Sequence, residues 1–286
     1  MDLTSLARPS GGFAMLAVDQ REALRDMMTK ATGVEISDQQ MTDFKVKTSK
    51  VLTPYASAVL FDKQFGWDAA VDNGAVSPGC GLIAAADHFI AGEGEFVRES
   101  VLDTSLDITH LKAQGAKALK LLILWREDRD PQERIVQARE FIKVCQDNDL
   151  ISIIEPVSRG RWDLQPCDTE AGVLAAAKEL GGLGADIYKA EVPFKGAASD
   201  SEVYEASQKL TDAVDGTWVV LSSGVDEERF PEVVGIACRA GASGFLAGRG
   251  VWGSLVGSDT LEKDLSGISV PRLKKLGQIV DESLQH

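Results

Sequence analysis

Positive charge is scarce in this chain, with 30 Lys and Arg against 44 Asp and Glu in 286 residues and a formal charge of −14 at pH 7. Such a balance repels nucleic acid and anionic membrane alike, so neither is an expected partner. Cysteine is limited to Cys80, Cys145, Cys167 and Cys238, with no CxxC pair, which speaks against a zinc site or a disulfide framework. The three histidines, His88, His110 and His286, share no metal-ligand spacing, so the expectation is no metal and no other cofactor. No apolar run approaches the roughly 18 residues of a membrane span. The opening MDLTSLARPSGG has no signal-peptide core, so a soluble, cytoplasmic protein is expected. Low-complexity tracts, linkers and repeats beyond a simple strand–helix unit are missing too, which leaves residues 1–286 as one domain.

What the chain does have is eight short apolar runs rich in β-formers. They are 13–19 (FAMLAVD), 57–62 (SAVLFD), 81–87 (GLIAAAD), 118–125 (ALKLLILW), 151–157 (ISIIEPV), 185–191 (ADIYKAE), 217–224 (TWVVLSSG) and 244–249 (GFLAGR). Segments of helical periodicity lie between them, among them 38–52, 131–148, 169–181, 201–214 and 226–241, with a last one at 271–285 after Pro271. Apolar strands alternating with amphipathic helices imply a parallel sheet covered by helices. Eight units point to an α/β fold of the closed (β/α)8 TIM-barrel type, with an open doubly wound sheet as the alternative. The glycine-containing stretch 91–96 (AGEGEF) reads as a mobile loop, and 155–164 (EPVSRGRWDL) as a basic, solvated loop. The five tryptophans read as packing residues.

In such a barrel the chemistry sits at the C-terminal ends of strands, so polar groups that close apolar runs deserve scrutiny. Asp19, Glu155, Lys189 and Arg249 do so. Alternation puts Ile151, Ile153 and Glu155 on one strand face, and Ala185, Ile187 and Lys189 on another. A buried lysine amine is pushed toward its neutral form, which suits a Schiff-base nucleophile; a structural ion pair with Glu155, Glu191 or Asp19 is the plainer alternative. Lys120, inside an apolar run, offers a second ammonium whose repulsion would favour a neutral Lys189, although the sequence leaves its direction open. Glu155 fits a proton carrier. Asp19 could orient a hydroxyl or the amine, or simply cap a helix. Near the C-terminus, LSSG (221–224) and LAGRG (246–250) follow the last two strands, where barrels of this kind bind phosphate through backbone N–H groups; Arg249 adds a fork of donors.

Taken together, SGGFAMLAVDQREALR (10–25), LTPYASAVLFDKQF (52–65), GAKALKLLILWR (115–126), SIIEPV (152–157), ADIYKAEVP (185–193), LSSGVDE (221–227) and GASGFLAGRGVW (241–252) resemble class I aldolases of the tagatose-bisphosphate type. Within that group the sulfofructosephosphate aldolases of sulfoquinovose breakdown are the nearest resemblance. It implies Lys189 as the Schiff-base lysine, Glu155 as proton shuttle, Lys120 as the lysine beside them and Asp19 as an aid to carbinolamine turnover. It further implies a phosphate cradle of Ser222, Ser223, Gly224, Gly248 and Arg249, with Gln20 and Arg21 toward the opposite end of the substrate. The implied reaction cleaves 6-deoxy-6-sulfofructose 1-phosphate to dihydroxyacetone phosphate and 3-sulfolactaldehyde. The alternatives are a tagatose- or fructose-1,6-bisphosphate aldolase and, more distantly, a non-catalytic barrel that senses sugar phosphates. The stretch 159–168 departs from the family pattern. Such barrels commonly self-associate, so a homo-oligomer, dimer or tetramer, is expected.

Overall fold

A computed structural model describes residues 1–285. Its strands are β1 (Phe13–Val18), β2 (Ala58–Phe61), β3 (Gly81–Ala85), β4 (Asp87–Gly92), β5 (Glu95–Leu102), β6 (Ala116–Trp125), β7 (Ile151–Ser158), β8 (Ile187–Ala190), β9 (Thr217–Val220) and β10 (Gly244–Ala247). All but β4 and β5 pair in parallel in the cyclic order β1-β10-β9-β8-β7-β6-β3-β2, closed by β1 against β2. The eight apolar runs are the eight barrel strands, so the open-sheet alternative falls.

Helices cover the outside, including Glu22–Thr32, Asp38–Leu52, Pro131–Asp147, Thr169–Leu180, Asp200–Ala213, Phe230–Arg239 and Val270–Ser283. Several start where the sequence supplies a cap: Ser37 with Gln40 and Ser199 with Glu202 form capping boxes, and Asp130 and Asp168 accept first-turn N–H groups. None of the described helices is long and apolar enough to cross a membrane.

Strand alternation splits the apolar residues into two sets. Ala14, Leu16 and Val18 of β1 face the helices, while Phe13, Met15 and Ala17 join Leu60, Ile83, Ala118, Ile153, Ile187, Val219 and Leu246 inside the barrel. Leu6, fully buried with that inner set, closes the barrel floor from the N-terminal segment. Two residues further up, the inner faces turn polar on five strands. Ala17 leads to Asp19, Ala85 to Asp87, Ala118 to Lys120, Ile153 to Glu155 and Ile187 to Lys189. The barrel thus builds its own polar layer on an apolar floor.

Two expectations are corrected. The stretch 91–96 is the tip of an antiparallel hairpin, β4–β5, inserted after β3. Ser100 of this hairpin donates to the Leu122 carbonyl at 2.7 Å, and Phe89 and Val97 pack on Leu122, Val157 and Leu221. It forms a roof over the barrel mouth. The basic stretch after β7 is also engaged: the Trp162 ring faces the guanidiniums of Arg98 at 3.9 Å and Arg129 at 4.8 Å, joining hairpin to barrel.

Candidate active site

The mouth holds a cavity of 320 Å³. Asp19, Gln20, Arg21, Lys120, Glu155, Lys189, Ser222, Ser223, Gly248 and Arg249 all line it, so ten of the eleven residues singled out in the sequence converge on one place. Gly224 is the exception. Its φ of +77° is a left-handed turn, and a Cβ there would meet the Lys195 side chain at 2.9 Å, so it shapes the loop behind Ser222 and Ser223 without lining the cavity.

Lys120 points inward, settling the question its mid-strand position left open. Its Nζ lies 2.9 Å from Asp19, 2.9 Å from Asp87 and 3.0 Å from Glu155, with 1% of the side chain exposed. Glu155 divides its two oxygens, Oε2 to Lys120 and Oε1 to Lys189 Nζ at 2.8 Å. Asp87 likewise gives Oδ2 to Lys120 and Oδ1 to Arg21 Nη2 at 2.9 Å. The result is an alternating chain of charges, Arg21, Asp87, Lys120, Glu155, Lys189, with Asp19 as a side branch on Lys120.

Burial by itself would force these groups toward neutrality, and the partners reverse it. Burial pulls Lys120 down, but Asp19, Asp87 and Glu155 hold its ammonium well above the usual lysine range. Burial pushes the Glu155 and Asp19 carboxyls up, but Lys120 and Lys189 hold both below the ordinary carboxylate range. Beyond the repulsion of Lys189 expected from the sequence, the Lys120 ammonium is shared by three carboxylates and lowers two of them.

Asp19 caps no helix; the helix at 22–32 begins after Arg21 without a side-chain cap. The segment Asp19–Arg21 is pinned from below by Lys45, whose Nζ donates to the Val18 and Gln20 carbonyls at 2.7 and 2.6 Å and pairs with Asp62. Gln20 does not face away from the phosphate-type loops. A Cβ at Gly248 would lie 2.9 Å from Gln20 Nε2, so only glycine lets the two loops close on each other. Arg21 is committed to Asp87 and to the Phe89 ring, 4.2 Å away, and is a poor free anion reader.

Arg249 donates to Ser223 Oγ at 2.6 Å, and Ser222 Oγ accepts from the Gly250 N–H at 3.1 Å, which ties the two C-terminal loops together. No carboxylate lies in ion-pair distance of Arg249 among the described residues, and burial pulls its guanidinium below the ordinary value. Two groups of the site escaped the sequence reading, one buried behind the cavity wall and one lining it. Asp87 closes the third apolar run just as Asp19 closes the first, a signal shared with Asp62, which is structural. Arg159, placed in a solvated loop, follows β7 and reaches the cavity wall, 3.9 Å from Glu191 and with its side chain 39% exposed. Among the described residues no group of three or more His, Cys, Asp or Glu is arranged to hold a metal ion.

Fold and site define a (β/α)8 barrel with a lysine and carboxylate centre at its C-terminal mouth. The chain belongs to the DeoC/LacD family of aldolases, whose profile matches residues 13–254. It is 31% identical over 284 residues to tagatose 1,6-diphosphate aldolase 2 of Streptococcus mutans, covering 89% of this chain and 84% of that one. Its namesake from Enterococcus faecalis is also 31% identical, over 86% and 81% of the two chains. An archaeal fructose-1,6-bisphosphate aldolase, solved with its catalytic lysine bound to the carbinolamine intermediate, superposes with a TM-score of 0.65 over 98% of each chain at 13% identity, a likeness of fold.

Replacing Lys120 tests the charge assignment through stability. In the wild type, Asp19 and Glu155 have depressed folded-state values, so their contribution is fully present above the unfolded carboxylate range, about 4, and is lost as pH falls below that range and through the depressed folded values. In Lys120→Met the carboxylates lose the cation they share, burial raises them, and stability should instead decline as pH rises. Urea midpoints measured from pH 4 to 8 should diverge between the two proteins with increasing pH; parallel curves would remove Lys120 as the cation that keeps these carboxylates charged.

Proposed function

We propose that this chain is a Schiff-base aldolase in which Lys189 attacks the ketone of a phosphorylated ketose. The observation that carries the reading is the buried Lys189 amine held 2.8 Å from Glu155 in the wall of the cavity. An amine nucleophile must surrender a proton, and the nearest base is within hydrogen-bond reach. Glu155 takes that proton, returns one to the carbinolamine hydroxyl as water leaves, and then removes the hydroxyl proton whose loss breaks the C–C bond. The iminium formed on Lys189 accepts the electron pair released by that cleavage. Asp19, also at the cavity wall, orients the carbinolamine. No metal is required in this scheme, because the iminium is the electron sink.

For the substrate we propose 6-deoxy-6-sulfofructose 1-phosphate, cleaved to dihydroxyacetone phosphate and 3-sulfolactaldehyde. Once Arg21 is discounted, two arginines remain at the wall, and they differ. Arg249, with no carboxylate in ion-pair distance among the described residues and braced by Ser223, suits a phosphate monoester of about −1.5 to −2 charges. Arg159, more exposed and facing Glu191, offers a diluted charge better matched to a singly charged sulfonate. The second reading is tagatose 1,6-bisphosphate cleavage, favoured by what the 31% identical relatives are named for.

Incubation with dihydroxyacetone phosphate and borohydride, with EDTA present throughout, should leave a reduced adduct on Lys189, read by peptide mass spectrometry. An adduct elsewhere, or none, would end the Schiff-base reading, and a turnover restored only by added divalent metal would end metal independence. Glu155→Gln should keep the fold yet slow turnover about 10²- to 10⁴-fold. In a coupled assay of dihydroxyacetone phosphate release, kcat/KM for the sulfonated ketose phosphate should exceed that for either bisphosphate by more than about tenfold, the scale that mismatched buried charges can produce. Equal or reversed preference would promote the bisphosphate reading.

A further inference from the structure

Asp87 is a fully buried carboxylate that does not line the cavity, yet it touches three parts of the site at once. Oδ2 accepts from Lys120 Nζ at 2.9 Å and from the Leu122 N–H at 3.1 Å, and Oδ1 accepts from Arg21 Nη2 at 2.9 Å. It is also the first residue of the roof hairpin, whose entry is stitched to the barrel where the Ala86 N–H donates to the Lys120 carbonyl at 2.8 Å. Two residues on, Phe89 lines the cavity and carries the Arg21 guanidinium on its face. One side chain thus meets both the lysine centre and the support of the roof.

We propose that Asp87 is a positioning residue of the aldolase reaction, which fixes the roof hairpin to Lys120 and Arg21 and sets how much of the Lys120 charge is left for Asp19 and Glu155. The proposal rests on the Schiff-base reading for what Glu155 does. Its physical basis is competition for one ammonium. Asp19 and Glu155 face the cavity, whereas Asp87 draws on the same Nζ from behind. Without Asp87 the whole charge of Lys120 falls on the two working carboxylates, which makes Glu155 harder to protonate and a poorer relay. Arg21 would at the same time lose the anchor that holds it over Phe89. The other charged groups facing the centre are Lys45 from below, Lys189 on β8, Arg249 after β10, and Arg159 and Glu191 after β7 and β8. None of these contacts Asp87.

The test compares the wild type with Asp87→Asn and Arg21→Gln, reading kcat and KM across pH together with borohydride trapping of Lys189. Asp87→Asn removes a negative charge, so the acidic limb of the kcat profile should move to lower pH by about half a unit or more, with kcat at neutral pH reduced at least about fivefold. Arg21→Gln leaves Asp87 in place and removes a positive charge, so the same limb should move to higher pH. Each kcat is normalised to the folded fraction measured by circular dichroism at that pH, so that a pH-dependent loss of fold is not read as a shifted limb. If Asp87→Asn does not fold, the upward shift in Arg21→Gln still supports the proposal, and an unmoved limb there overturns it. Trapping of the wild type with unmoved limbs in both variants overturns the role of Asp87 alone. A wild type that gives no Lys189 adduct overturns the Schiff-base reading and this proposal with it.

Discussion

A lysine side chain that is 1% exposed has given up almost all of its hydration, a loss of several kcal/mol for an ion even after the protein relaxes. A unit charge 4 Å away returns about 4 kcal/mol in an effective dielectric near 20, so one carboxylate at this distance would barely hold the ammonium charged. Lys120 has three. They sit just after β1, at the start of β4 and on β7, so the electrostatic requirement of one side chain fastens distant parts of the chain around a common point. Removing any one of the three shifts the burden to the others.

With Arg21 and Lys189 included, three cations face three anions and the assembly is neutral when Lys189 is protonated. That balance bears on the proposed chemistry. A neutral Lys189 leaves one unit of negative charge, and an iminium restores the positive charge at nearly the same place. Glu155 and Asp19 then stand ready to stabilise the cationic intermediate without rearranging, the kind of preorganised field that lowers a barrier most effectively in a site shielded from water. The roof contributes to that shielding. Phe89, Ala91, Phe96 and Val97 present apolar surface over the charged layer, so charges below them act in a lower dielectric than open solvent would allow.

The barrel was legible because its strands are apolar on both faces and separated by capped helices, a pattern that leaves few other architectures. Period-two alternation on β7 and β8 was enough to bring Glu155 and Lys189 to one layer. Lys120 was recognisable as anomalous, but its direction depends on which strand face is inward, and an unbroken apolar run such as ALKLLILW gives no polar face to decide it. Asp87 and Asp62 close their runs in the same way, and one became part of the centre while the other neutralises Lys45. What separates them is the partner supplied by a remote segment, a lysine from a neighbouring inner face or one from a covering helix. The hairpin was hidden for a different reason: its strands alternate weakly, and its two-residue turn at Glu93 and Gly94 resembles an ordinary glycine loop.

Gln20 shows how ring closure defeats linear reasoning. Residues that follow β1 and residues that follow β10 lie at opposite ends of the chain, and a reader of the sequence assigns them to opposite ends of the ligand. Pairing of β1 with β10 makes them neighbours, and Gly248 is what allows Gln20 to pack so closely. The part of the cavity across from Arg249 must then be furnished by the strands on the far arc of the barrel, which are those bearing Arg159 and the hairpin. On the proposed reading, with the phosphate at Arg249, discrimination at the other end of the substrate turns on the stretch after β7, the same stretch that departs from the family pattern in sequence. A change of substrate at that end need not disturb the lysine centre, because Arg159 pairs with Glu191 and forms no ion pair with Glu155.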